Sequence, residues 1–108
     1  MKQLIIQFQT KDFEGLDCLG IRHDLEEKIG GALERNLGGI GYVDGGDIGR
    51  EEMNIFAFVK SWEQPIELVK AVLKRSGHLD AAVIAKRMND DSYRIVWPLN
   101  FDGTFSIT

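Results

Sequence analysis

The densest run of chemistry-bearing side chains lies between residues 44 and 52, where Asp44, Asp47, Glu51 and Glu52 surround Gly45, Gly46 and Gly49. Carboxylates of this kind are ligands for hard cations. The spacing is not that of an EF-hand loop, which needs oxygen ligands at alternate positions and a glycine at the sixth, so the segment is expected to be a tight, solvated acidic turn. Its glycines also lack the strand-to-helix setting in which such loops cradle phosphate. The other reactive types are scattered. Cys18 is the only cysteine and cannot by itself form an internal disulfide or a cysteine-based metal site. His23 and His78 have no partner at metal-ligand spacing, and no Gly-x-Ser-x-Gly turn is present. A Cys18–His23 nucleophile pair would need the fold to bring the two side chains together. The sequence therefore nominates no catalytic residue, no metal ligand set and no cofactor.

The elements that must position these residues belong to a chain of 108 residues, the size of one domain with a core of its own. A net charge of -4 argues against a binder of nucleic-acid backbone, which needs clustered Lys and Arg, and suits a basic partner better. The apolar run near Met1 is too short for a signal peptide, and no stretch approaches the roughly 20 apolar residues of a membrane span. A reducing, cytoplasmic setting is expected, with no membrane partner.

Residues 2–9 alternate, with Leu4, Ile6 and Phe8 on one face and Gln3, Ile5, Gln7 and Gln9 on the other, the pattern of a half-buried strand. Residues 11–22 read as an irregular connection. Asp24 with Glu27 predicts the capping box of a helix whose stripe is Leu25, Ile29, Ala32 and Leu33 and whose end is Gly38-Gly39. Gly30 and Gly31 inside it each cost about 1 kcal/mol relative to alanine, so packing must hold this helix. Residues 40–43 predict a short strand, 44–47 a turn, and 53–59 a central strand apolar on both faces. Ser61 with Gln64, and Pro65 in the first turn, predict the start of a second helix. Its stripe is Trp62, Ile66, Val69 and Leu73, and Gly77 stops it. Two more strands, 81–87 and 93–97, flank an Asn89-Asp90-Asp91 turn. The tail, 99–108, carries Phe101, Phe105 and Ile107 and is too apolar to float.

Strand, helix, hairpin, helix, strand is the order of a ferredoxin-like β-α-β-β-α-β sandwich, here a single α+β domain over residues 1–108. Right-handed crossovers place both helices on one face of an antiparallel sheet. The first and third strands should lie in the middle, and the fifth should extend the edge beyond the fourth. If Leu4, Ile6, Phe8, Met53, Ile55, Ala57 and Val59 face the helices, the open face carries Ile5, Phe56 and Phe58. Tyr93 and Trp97 beside them complete a candidate interaction surface. Rings at a sheet centre need a cover, which can be the tail, a second copy packed sheet to sheet, or a ligand.

Phe56-Ala57-Phe58-Val59 resembles the aromatic octamer of RNA-recognition domains, which stack bases on rings of the central strand. Asn54-Ile55 stands where that pattern has a basic residue and glycine, and Ile5 where it has a companion aromatic. Together with the net charge, this counts against nucleic acid as the partner. Residues 43–56, Val-Asp-Gly-Gly-Asp-Ile-Gly-Arg-Glu-Glu-Met-Asn-Ile-Phe, are similar to a glycine- and acid-rich hairpin followed by Met-Asn-Ile-Phe in a family of small bacterial proteins with no assigned activity. That resemblance carries over no site residue. The expected function is a non-enzymatic protein-binding module. Small acidic bacterial domains of similar design include immunity proteins that plug a toxin's active site, which would make the partner a basic toxin or other protein. The alternative is a small-molecule-binding or catalytic ferredoxin-like dimer with a pocket near Phe56, Phe58, Tyr93 and Trp97.

Overall fold

The N-terminal alternation folds as β1 (Lys2–Gln9), which becomes the middle strand of the sheet. The computed structural model describes residues 1–35, 39–49, 51–103 and 105–107. After β1 come α1 (Cys18–Arg35), β2 (Gly41–Ile48), β3 (Glu52–Val59), α2 (Glu63–Arg75), β4 (Ala82–Arg87) and β5 (Tyr93–Trp97). The protein is an α+β structure with two helices and a five-stranded antiparallel sheet in the order β2-β3-β1-β4-β5. Ile5 stands opposite Phe56 of β3 on one side and Ala85 of β4 on the other.

The period-2 pattern of β1 and β3 decides where the core sits. Leu4, Ile6 and Phe8 join Met53, Ile55, Ala57, Val59 and Ile84 in one buried cluster with Leu25, Ile29 and Leu33 of α1 and Val69, Val72 and Leu73 of α2. Each of these side chains larger than alanine contributes about 1.5–3 kcal/mol when removed from water. Both helices thus lean on the same side of the sheet.

Several local expectations are corrected. Helix α1 begins at Cys18, six residues before Asp24, because the Asp17 carboxylate accepts the Gly20 amide proton at 3.0 Å and caps the first turn. Asp24 instead pairs with Lys28 at 2.8 Å. The expected helix end at Gly38 lies outside the described residues, while Gly39 has φ +92° and Ile40 N–H reaches back to Leu33 O. The Ser61–Gln64 capping box does not form. Trp62 is already helical in backbone, and α2 starts after it without a side-chain cap. At its C-terminus the Gly77 and His78 amides return to Lys74 and Leu73 carbonyls, with Gly77 at φ +78°.

The Asp44–Asp47 segment is not the hairpin turn. It lies within β2, where the register with β3 slips between Val43 and Gly46. Gly45 at φ +104° supplies the bulge. Gly46 lets the strand press against the Asn54 carbonyl beneath the Arg22–Glu26 ion pair, whose Nε and Oε1 lie 3.1 Å apart without the angle of a hydrogen bond. The chain actually reverses between the end of β2 at Ile48 and the start of β3 at Glu52, where Gly49 N–H donates to Glu52 O at 2.8 Å.

A second bulge changes the fate of Trp97. Between Ile84 and Ala85 the β4–β5 register slips, so Trp97 pairs with Ile84, a helix-side residue, while Ile95 pairs with Ala85 and Tyr93 with Arg87. Trp97 therefore leaves the open face. Its indole N–H donates to Leu79 O at 3.0 Å, and Lys70 of α2 lies 4.8 Å from its ring centre.

Candidate functional site

The open face of the sheet is organised in rows across the strands. Tyr42, Phe58, Gln3, Arg87 and Tyr93 form one; Phe56, Ile5, Ala85 and Ile95 form the next; Asp47, Asn54, Gln7 and Val83 form a third. Ile5 and Ala85 are fully buried even though this face is turned away from the helices. The tail lies across it, with the Phe105 ring 5.2 Å from that of Tyr93 and the Ser106 carbonyl accepting a 2.9 Å hydrogen bond from Gln7 Nε2. Phe56 and Phe58 remain half-buried. Of the five residues expected on this surface, four are here and Trp97 is not.

Of the four acidic residues only Asp47 and Glu52 come together, both on Asn54 Nδ2. Asp44 is exposed at the bulge, and Glu51 is exposed in the turn. Asp47 accepts a 2.9 Å bond from Asn54 Nδ2. Glu52 is buried on the sheet face, where its carboxylate receives Gln7 Nε2 at 3.1 Å and Asn54 Nδ2 at 3.4 Å. Among the described residues no group of three or more His, Cys, Asp or Glu is arranged to hold a metal. Cys18 and His23 find different neighbours: the thiol lies 4.0 Å from Phe13 O, and the imidazole lies against the Arg22 guanidinium at 3.1 Å. His78 packs on the rings of Phe8 and Phe13.

What the fold does assemble is an apolar patch rimmed by acid at the end where β1 finishes. A short 3-10 turn (Thr10–Phe13) follows β1 and is tied to the hairpin turn by a 2.9 Å bond from Thr10 N–H to Glu51 O. Phe13 fixes it from below, buried and edge-on to Phe8 at 5.5 Å. Between the 3-10 turn, the hairpin turn and the start of α1 lies a cleft of about 650 Å3, lined in part by Phe13, Glu14, Leu16, Cys18 and Glu51. Leu16, 60% exposed, lines it together with the exposed Lys11, Glu14 and Glu51, while Leu19 at the start of α1 is 51% exposed and Asp12 and Asp17, near them in sequence, are exposed as well. Sequence reasoning missed these leucines because residues 11–22 show no periodicity. The available signal was two leucines in a polar, glycine-containing connector with no stripe to join. No helix among the described residues is long and apolar enough to cross a membrane. Comparison with protein-family models, with curated proteins and with solved structures returned no match to this chain.

Proposed function

We propose that the chain is a non-enzymatic protein-binding module of ferredoxin-like β-α-β-β-α-β design, with β5 and the tail as additions, and that its acidic, leucine-bearing end meets the partner. The observation carrying this reading is the exposure of Leu16 and Leu19 near the exposed carboxylates of Asp12, Glu14, Asp17 and Glu51, which outnumber the single cation, Lys11, among the described residues lining the cleft that buried Phe13 braces. Apolar anchors inside a charged rim are the anatomy of a protein interface. Burying what is still exposed of the two leucines, 60% and 51%, would contribute about 2–3 kcal/mol toward the roughly 8 kcal/mol that micromolar affinity needs. The carboxylates steer a basic surface toward the patch. A toxin's basic active-site cleft is one such surface, as the immunity-type reading requires. The sheet-to-sheet dimer draws less support, since the tail already lies across that face.

The test is capture from the native host's extract by the tagged chain and by a Leu16→Asp/Leu19→Asp variant whose circular dichroism matches the parent. The reading expects a stoichiometric partner that the parent retains, the variant loses, and salt weakens. Recovery of the same proteins by both, or of no stoichiometric partner, would refute it.

A further inference from the structure

At the opposite end of β1 the charge is reversed. Eight strand residues at about 3.3 Å each separate Lys2 from Thr10 by roughly 26 Å, so the two ends are independent surfaces. Four segments converge at this second end: β1 begins at Lys2, β3 runs out to Lys60, α2 begins after Trp62, and β4 turns toward β5 after Arg87. They enclose a cleft of about 500 Å3, within the range of roughly 300–1,000 Å3 typical of small-molecule sites.

The lining is unusual for a chain of net charge -4. Lys2, Lys60 and Arg87 contribute three cationic side chains, and Asp91 is the one carboxylate side chain among the described lining residues. Arg87 is held in place from two sides, donating to Gln3 Oε1 at 3.2 Å and pairing with Asp91 at 3.1 Å, which leaves guanidinium protons unused among the described residues. The Trp62 ring holds the Lys2 ammonium at 5.7 Å and that of Lys86, just outside, at 5.1 Å. Lys60 is exposed and forms no ion pair among the described residues. Asp91 offsets one of these charges, and the remaining cations repel one another unless a further anion joins them. One wall is Phe58, a half-buried ring on the open sheet face, and Gln3 and Asn89 add amide groups that both donate and accept.

We propose that this cleft binds a free nucleoside monophosphate, its base against Phe58 and its phosphate among Lys2, Lys60 and Arg87. Fixed cations suit phosphate, and a flat aromatic wall suits any planar base. A nucleic-acid strand would need a basic track continuing beyond the cleft. Here the basic lining is confined to one end, and the acidic surface lies at the other. The site is independent of the protein-binding reading.

Titration calorimetry on the full chain, with the four ribonucleoside monophosphates, inorganic phosphate and an eight-nucleotide single strand as probes, tests the proposal. A mononucleotide should bind with salt-sensitive affinity and tighter than phosphate, and Lys60→Glu should weaken it about tenfold or more. Phe58→Leu should weaken the nucleotide while leaving phosphate affinity within about twofold, because stacking and not charge is removed. Thermal melts of both variants check the fold, and Lys60→Glu changes only an exposed side chain. No mononucleotide binding at millimolar concentration, binding unchanged in a folded Lys60→Glu variant, equal affinity for phosphate and nucleotide, or tighter binding of the strand would each overturn it.

Discussion

Replacing Gln7 with leucine tests the polar row that anchors the tail. Gln7 Nε2 lies 3.1 Å from Glu52 Oε2, 3.0 Å from Asn54 Oδ1 and 2.9 Å from Ser106 O. An amide nitrogen has only two protons, so at most two of these contacts are full hydrogen bonds at any moment. One charge-assisted bond to the buried carboxylate, at about 1.5–3 kcal/mol, and one neutral bond near 1 kcal/mol give a gross loss of roughly 2.5–4 kcal/mol. The leucine recovers about 1 kcal/mol by burying more apolar surface, leaving a net loss of about 1.5–3 kcal/mol. In urea, with a slope of about 1.5 kcal/mol/M, the unfolding midpoint followed by Trp62 and Trp97 fluorescence should fall by roughly 1–2 M. Gln7→Glu should be worse at neutral pH, since it removes both protons and sets a second carboxylate beside Glu52. A midpoint within about 0.5 M of the parent for Gln7→Leu would show that the row contributes little and that the reasoning is wrong.

Gly30→Ala should stabilise the chain by about 1 kcal/mol, because its methyl would meet Val43 at an ordinary 3.7 Å while the helix sheds a glycine; thermal melting reads the gain. Gly46→Ala should cost about 2 kcal/mol or more in the same assay, since its methyl would be driven into the Asn54 carbonyl oxygen of an interior strand. Asp17→Ala should cost about 1 kcal/mol, whereas Ser61→Ala should stay within roughly 0.5 kcal/mol, because only Asp17 caps a helix. Hydrogen bonds from the Ser92 hydroxyl and then its amide hold the Asp90 carboxyl below its ordinary value. Its small contribution is therefore present above the unfolded-state pKa and lost as pH falls through the folded one. An NMR titration should place the Asp90 midpoint below that of a free aspartate and move it upward in Ser92→Ala.

Elements whose pattern meets the core were legible, and elements specified by distant partners were not. β1 was readable to its terminal residues because Leu4, Ile6 and Phe8 all reach the core. The first turns of α1 were not, because Leu19 faces solvent there and breaks any stripe; the core contact begins in earnest at Leu25. Asp44-Gly45-Gly46-Asp47 has the composition of a turn, and a bulge needs the same positive φ. Only the β3 partner decides between them, by pairing Val43 with Ala57 and Gly46 with Ile55 so that two residues bow out between. Trp97 shows the same limit. Counting by twos along β5 puts it with Tyr93, and one slipped residue opposite Ile84 sends it to α2.

The polar row explains why this sheet face suits its own tail. Parity alone puts Gln7 on the face with Phe56 and Phe58, where an amide looks like a solvated position. Its true setting depends on Glu52 and Asn54, 45 and 47 residues away, arriving opposite it through the β1–β3 register. The face then presents an apolar row through Ile5 and Phe56 directly beside a row that needs acceptors and donors. A flat hydrophobic partner would leave the second row unsatisfied, and a polar one would leave the first row wet. The tail brings an apolar and a polar group to this face within two residues, the Phe105 ring against Tyr93 in the neighbouring row and the Ser106 carbonyl on Gln7. The two ends of β1 are left with unmet demands, one offering leucines near carboxylates and the other a ring beside two lysines and an arginine.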